Sequence, residues 1–303
     1  MQTQYDYCST LSASERIGWR IEDVLPAGQG LDFSKPLMPE ALARVTSLGF
    51  LDAEEQLVVN HIRGNGYLCT FGLVEEFVLP FVLDHARPHL DGDDYRTRAL
   101  LQFACEEAKH IQLFKRFSAA FEAGFGSKCE VIGPPSAVAG KVLSHHPLAV
   151  ALVTLHLEWM TQRHYVESVR DDQELDPLFM SLLKHHWMEE AQHAKIDMLI
   201  VETLASQCTP EEAEQAAEEY MEIGAFLDSG LQQQTELDID SLERATGRTL
   251  RAAERDTYTS VQRQALRWTY LGSGMTHPKF QSMFRQVAPM TAAKVEQVAP
   301  AFC

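Results

Sequence analysis

The sequence predicts an all-α protein: a four-helix bundle with additional helices at both its N- and C-terminal ends. Three observations carry this. No stretch shows the strict apolar–polar alternation of a half-buried strand. Long segments with apolar residues at three- and four-residue spacing open on strong helix starts, such as Asp52-Ala-Glu-Glu55 and Thr209-Pro-Glu-Glu212. Two of those segments carry Glu-x-x-His, as Glu107 with His110 and Glu190 with His193. Residues three apart share a helix face one turn apart, so each carboxylate and imidazole can reach one metal ion together.

Residues 1–35 read as irregular, with a short helix after Ser14 and a loop over Asp23–Gly30. Pro36 to Leu48 reads as a helix closed near Gly49. Asp52 caps the next, with Glu55 completing a capping box. It runs to about His85, weakened at Gly64, Gly66 and Gly72 and open to a kink at Pro80. Glycine on an inner face also removes bulk, which would make room for metal or substrate. A turn at Asp91–Asp94 leads into a helix from Tyr95 to about Ala123, the carrier of the first Glu-x-x-His. A Gly- and Pro-rich connector follows, then a short helix from Ala137 to Ser144. Pro147 suits the first turn of a helix to about Val169. Asp176-Pro177 opens the carrier of the second motif, which ends near Gln207. After Thr209, two or three further helices are expected, with breaks at Gly230, Gly247 and Gly272-Ser-Gly274. The expected organisation is a single domain over 1–303, with the bundle core at about 52–207 and extra C-terminal helices over 208–303.

Composition narrows the function. A formal net charge of -17 repels nucleic-acid phosphates and anionic membranes; the acidity concentrates near Glu211 to Glu222. No run reads as approaching the roughly 18 apolar residues of a spanning helix. The N-terminus lacks the basic and apolar regions of a secretory signal. The six cysteines (Cys8, Cys69, Cys105, Cys129, Cys208, Cys303) show no C-x-x-C spacing, which points to free thiols in the cytoplasm. Cys69 and Cys105 read as core-packing residues.

Chance alone supplies about one Glu-x-x-His in a chain this rich in both residues, so the neighbours carry the argument. One face of the first helix reads Phe103, Glu107, His110, Ile111, Phe114. One face of the second reads Leu183, His186, Glu190, His193, Ile196, Ile200. A Glu in an apolar stripe must lose its charge, find a partner or bind a metal. A bundle site also asks for one inward Glu on each of the other two long helices. Glu158 serves on the 147–169 helix. On the 52–85 helix Glu75 has the more apolar face, with Glu76 as the alternative. His186, four residues before Glu190, shares the ligand face as a seventh ligand or as a donor that orients a ligand carboxylate. As a ligand, it would share one metal with His193 and leave His110 to the other. Asp197 reads equally as a group supporting the site or as solvated. Glu106 and Glu189 read as helix-surface residues.

The order Glu, Glu-x-x-His, Glu, His-x-x-x-Glu-x-x-His resembles the ferritin-like di-iron arylamine N-oxygenases, a para-aminobenzoate N-oxygenase-like family. The resemblance covers about residues 55 to 205. It implies metal ligands at Glu75 (or Glu76), Glu107, His110, Glu158, His186, Glu190 and His193. It further implies two iron ions, O2 as co-substrate and an external electron donor. Carboxylate and imidazole ligands admit manganese as well as iron. The expected function is therefore an O2-activating non-haem di-iron oxygenase acting on a small organic substrate, with N-oxygenation of an amine in view. Trp159, Trp187 and Tyr165 would line a pocket or pack the core. The alternatives are a ferritin-like iron-binding or storage protein without organic turnover, or a structural bundle with a vestigial site. Neither nucleic acid nor membrane is an expected partner, and a homodimer could form through the helices after 209.

Overall fold

Four long helices built on the expected start signals form the centre of the molecule. The structure, a computed structural model, describes residues 5–303. The absence of a signal-like sequence was read partly from residues 1–4, which lie outside the described residues. Helices α1 (Tyr7–Ser14), α2 (Ile21–Val24) and α3 (Glu40–Ala43) are short. Helices α4 (Ala53–Ala86), α5 (Asp94–Phe125), α7 (Pro147–His164) and α8 (Pro177–Ser206) are the bundle, with α6 (Pro135–Leu143) between its halves. Helices α9 (Pro210–Thr246), α10 (Ala252–Arg267), α11 (Ser273–Met275), α12 (Pro278–Val287) and α13 (Pro289–Val298) follow. Short π-helical turns extend α7 over Tyr165–Val169 and α10 over Trp268–Gly272. No strand occurs among the described residues.

The caps are where the sequence places them. The Asp52 side chain accepts from Glu55 N at 2.9 Å, and Glu55 Oε2 accepts from Asp52 N at 3.0 Å. Thr209 and Glu212 form the same reciprocal pair at the start of α9, and Asp176 caps α8 by accepting from Phe179 N at 2.7 Å. Gly247 ends α9 in the left-handed conformation that favours glycine, at φ 70°.

In the bundle, α4 packs on α5 and α7 on α8, and α5 meets α8 across the interior. The N-terminal segment closes one side, with α1 and α2 on α5 and α8. The C-terminal helices close the other, with α9 on α7 and α4. Helix α4 is therefore covered nearly all round, and its buried positions run through Val59, Leu68, Phe71, Glu75, Val78 and Val82.

Several local expectations change. The first helix lies before Ser14, because Asp6 caps it through Ser9 N. Pro36–Leu48 forms only the short α3 and a 3-10 turn over Val45–Ser47, interrupted where Arg44 takes a left-handed φ of 48°. Gly230 does not break α9, which runs unbroken through it. Pro80 sits inside a continuous α4. Gly64 makes room for protein rather than for metal: an added Cβ would stand 2.8 Å from Leu37 Cβ. Cys105 is exposed, because it lies on the outer face of α5. The helical stretch Ala53–His89 contains an 18-residue window with a mean hydropathy of 1.5, long and apolar enough to cross a membrane by length and composition. Its apolar character goes into the bundle centre instead, where core contacts surround α4.

Candidate metal centre

The inner faces of α4, α5, α7 and α8 meet in a layer of carboxylates and imidazoles sealed from solvent. Glu107, His110 and His193 are each 0% exposed, and Glu75, Glu158, His186 and Glu190 are at most 5% exposed. Packing alone cannot account for four acids in such a place, because an ionised carboxylate without a partner is strongly disfavoured in an apolar interior.

Two overlapping groups of side chains bring potential ligand atoms within 4.8 Å of one another: Glu75, His110, His186, Glu190, and Glu107, His110, Glu190, His193. His110 Nδ1 lies 3.0 Å from Glu190 Oε1 and 4.0 Å from Glu75 Oε1. His186 Nε2 lies 2.8 Å from Glu190 Oε1 and 3.3 Å from Glu75 Oε1. His193 Nδ1 lies 2.8 Å from Glu107 Oε1 and 3.2 Å from Glu190 Oε2. Glu190 and His110 belong to both groups, and Glu190 turns one oxygen toward His186 and the other toward His193. Despite these short distances, both oxygens of Glu107, Oε1 of Glu190 and Nδ1 of His110 lack hydrogen-bond geometry with any neighbour. Their lone pairs converge on shared space rather than on each other. A buried acceptor left this way is costly, and cations between the groups would satisfy it. The donor set of carboxylate and imidazole suits first-row transition metals.

The outward nitrogens of two imidazoles are fixed by a second pair of acids. His110 Nε2 bonds Glu189 Oε2 at 2.9 Å, and His193 Nε2 bonds Glu106 Oε2 at 2.9 Å. The bonds cross between helices: Glu189 of α8 holds a histidine of α5, and Glu106 of α5 holds a histidine of α8. A carboxylate on the remote ring nitrogen sets the tautomer and orientation of a metal-binding histidine, leaving Nδ1 free toward the centre. Lys109 Nζ bonds Glu189 Oε1 at 2.5 Å and lies 3.7 Å from the centroid of the Trp19 ring. Ser14 Oγ and Gln102 Nε2 donate to Glu106 Oε1 at 2.5 and 2.9 Å. Phe103 stacks on His193 at 3.9 Å between centroids, and Trp19 lies parallel to His110 at 6.1 Å.

The electrostatics follow from this crowding. Burial pulls the His110 imidazole down, but the Glu189 and Glu190 carboxylates outweigh it and hold it at about 9. Burial likewise opposes a charged His193, and Glu190 and Glu107 overcome it, leaving it well above the usual histidine value. Burial, then the Glu190 charge, pushes the Glu158 carboxyl well above the usual carboxylate range. Glu190 is held well below its ordinary value against burial, chiefly by His186 and His193. In the protein alone, protons supply the positive charge that metal ions would bring.

Residues 65–265 match the family described as p-aminobenzoate N-oxygenase AurF, well over half of the chain. The chain belongs to that family. As an AurF-family protein it is an O2-activating non-haem di-iron oxygenase with a buried carboxylate–histidine di-metal site. Solved structures share the fold. An R2-like ligand-binding oxidase variant with an Mn/Fe cofactor has a TM-score of 0.54 at 15% identity, covering 94% of each chain. Another variant of that oxidase with an Fe/Fe cofactor has a TM-score of 0.51 at 15% identity, covering 87% of this chain and 92% of its own. No curated protein matches significantly.

Measured against the sequence reading, six of the seven positions come together in the two groups. Glu158 lies outside both, beside Glu190, with Oε2 unpartnered. Of the two acids on α4, Glu75 faces the centre, while Glu76 turns to the surface 3.9 Å from Lys115. His186 groups with Glu75, His110 and Glu190, and no group joins it to His193. The two histidines stand on either side of Glu190, about 10.5 Å apart in helix rise, and each ring reaches one of its oxygens, at 2.8 and 3.2 Å. Glu106 and Glu189 are not surface residues; they are 3% and 1% exposed and hold the imidazoles. The doubled acids Glu106-Glu107 and Glu189-Glu190 were the available signal. Asp197 is 0% exposed with both oxygens unpartnered, so it is not solvated. Trp159 is buried against His277, and Trp187 stacks on Tyr165 at 4.3 Å. Nothing in the sequence pointed to Ser14 or Trp19, which come from the N-terminal segment.

Proposed function

We propose that this oxygenase binds two iron ions through Glu75, Glu107, His110, Glu158, His186, Glu190 and His193 and oxidises the nitrogen of a small aromatic amine. The observation that carries the reading is the convergence of unpartnered carboxylate and imidazole atoms, walled off from water, with an apolar cavity separated from His186 by the Phe71 and Tyr270 rings. That cavity has a volume of about 460 Å³, within the range of small-molecule sites. Val74 and Leu157 line it, and each directly precedes a proposed ligand, Glu75 and Glu158. Tyr270, in the π-helical turn, forms part of its wall and lies 6.2 Å from Phe71, whose ring lies edge-on to His186 at 5.3 Å. An aromatic amine has the size and polarity for such a space.

Two ferrous ions held by these residues would supply two electrons to O2, with further electrons from a donor outside the chain. The protein's own part is placement. Glu106 and Glu189 keep Nδ1 of His193 and His110 toward the centre. The Phe71, Phe103 and Phe114 rings pack on the imidazoles and exclude water. Glu158, its carboxyl pushed up by burial and by the Glu190 charge, leaves Oε2 without a partner and available to a cation. Free thiols throughout the described chain are in keeping with a cytoplasmic protein. An apolar cavity whose Tyr270 wall packs on Phe71, against His186, favours organic turnover over iron storage, which has no use for one.

Anaerobic loading with Fe(II), metal counting and O2 uptake with and without arylamines test this. The expected result is two irons per chain and amine-stimulated O2 consumption with an oxidised nitrogen in the product. Two bound irons with O2 uptake indifferent to every arylamine would overturn the substrate reading; fewer than two would overturn the centre.

A further inference from the structure

The two outer carboxylates make the same bond to their histidines, at the same length, but they are not in the same electrical state. Glu189 is neutralised by an ammonium: Lys109 Nζ stands 2.5 Å from its Oε1. Glu106 has only neutral partners, the Ser14 hydroxyl and the Gln102 amide. Among the described residues, no Lys or Arg lies within ion-pair distance of Glu106. The pseudo-symmetry of the paired motifs is broken where α5 carries Lys109 and α8 carries Gln192, and the Glu106 strap takes its amide partner from Gln102 instead.

A carboxylate on the remote nitrogen raises the donor strength of a metal-binding imidazole. A cation on that carboxylate takes back part of the effect, and in a poorly screened interior the charge also acts on the metal directly. We infer that Lys109 makes the two metal positions unequal: the His193 position binds its ion tightly, and the His110 position binds more weakly. Lys109 is a positioning residue acting through Glu189. It is also the outermost member of the chain of contacts from His110, with its side chain 22% exposed and lying over Trp19. The inference rests on the two-metal reading above.

Stepwise binding of Mn(II) to the metal-free full chain, counted by the EPR signal of the free ion, tests it without turnover. The wild type should show two dissociation constants. Lys109→Gln, which gives Glu189 the neutral partner that Glu106 has, should tighten the weaker constant by about tenfold and leave the tighter in place. Gln102→Lys should loosen the tighter constant by a similar factor. Lys109→Arg should keep the wild-type pair, which separates charge from packing. Two ions with equal constants in the wild type, or constants that ignore both exchanges, overturn the inference while leaving the two-metal reading intact. A stoichiometry below two in the wild type overturns both.

Discussion

Removing Glu189 is the sharpest test of the crossed carboxylates, because the sequence alone places that residue on the surface, where its loss would leave metal content unchanged. In the structure Glu189→Ala deletes the acceptor of His110 Nε2, a nitrogen on a side chain with no solvent access. It also strips Lys109 of its ion pair. A hydrogen bond to a charged group is worth about 1.5–3 kcal/mol, and a stranded buried donor costs a similar amount. Loss of a carboxylate behind a metal-binding histidine weakens metal by about 10–100-fold, on the order of 1.4–2.7 kcal/mol, which agrees in size. Glu189→Gln keeps an acceptor without the charge and should fall between wild type and alanine. Competition for Fe(II) against a chromophoric chelator, under anaerobic conditions, measures this directly. Thermal melting of each metal-free variant controls for folding. Wild-type affinity in a folded Glu189→Ala protein would show that the ring orientation does not depend on the strap, and the account of the paired acids would be wrong.

The other expectations are briefer. Glu190→Ala should abolish binding of both metals, since Glu190 is the one carboxylate common to both groups, while Glu76→Ala should bind two as the wild type does; elemental analysis of the purified variants decides. Metal-free protein should lose stability as pH rises. His110 is held at about 9 against an ordinary 6.5, so its contribution is complete below pH 6.5 and lost as pH passes through 9, on the order of 3 kcal/mol. Urea melts across that window should slope for the metal-free protein and flatten on metal loading, and parallel slopes would contradict the exchange of protons for metal. Val138→Trp fills part of the cavity wall on α6 and should raise KM for an arylamine several-fold with two metals retained; an unchanged KM would place the substrate elsewhere. Gly64→Ala should destabilise by about 1–3 kcal/mol through contact with Leu37, read as a lower Tm.

Most of the bundle was legible because its signals are local. Asp52, Pro147, Asp176 and Thr209 each mark a helix start through hydrogen bonds or ring geometry within a turn, and each begins the helix as read. The inward set Glu107, His110, His186, Glu190 and His193 was legible because helical spacing puts them on apolar faces. Glu75 could be separated from Glu76 for the same reason. What was not legible depends on contacts between distant segments. Ser14 and Trp19 reach the centre only because α1 and the segment before α2 fold over α5 and α8. The long apolar stretch of α4 has the composition of a membrane span, and only the helices packed around it show that it is a core. Gly230 looked like a break because propensity is a weak signal, and tertiary packing of α9 overrides it.

The misreading of Glu106 and Glu189 has a more specific cause. Neighbouring residues lie about 100° apart on a helix, so a single apolar face admits only one of two adjacent acids. That argument assumes one buried face. Helix α5 has two: one turned to the bundle interior and one covered by the N-terminal segment and α8. The second acid of each pair occupies that second face and reaches across to the histidine of the opposite helix. The crossing has a structural consequence. Each imidazole takes its inward direction from its own helix and its outward anchor from the other, so neither ring is fixed until α5 and α8 are packed in the correct register. The metal-binding geometry is therefore not a property of either Glu-x-x-His segment. It belongs to the α5–α8 interface, and a bundle that slips by one turn loses both straps together with the convergence of Glu107 and Glu190.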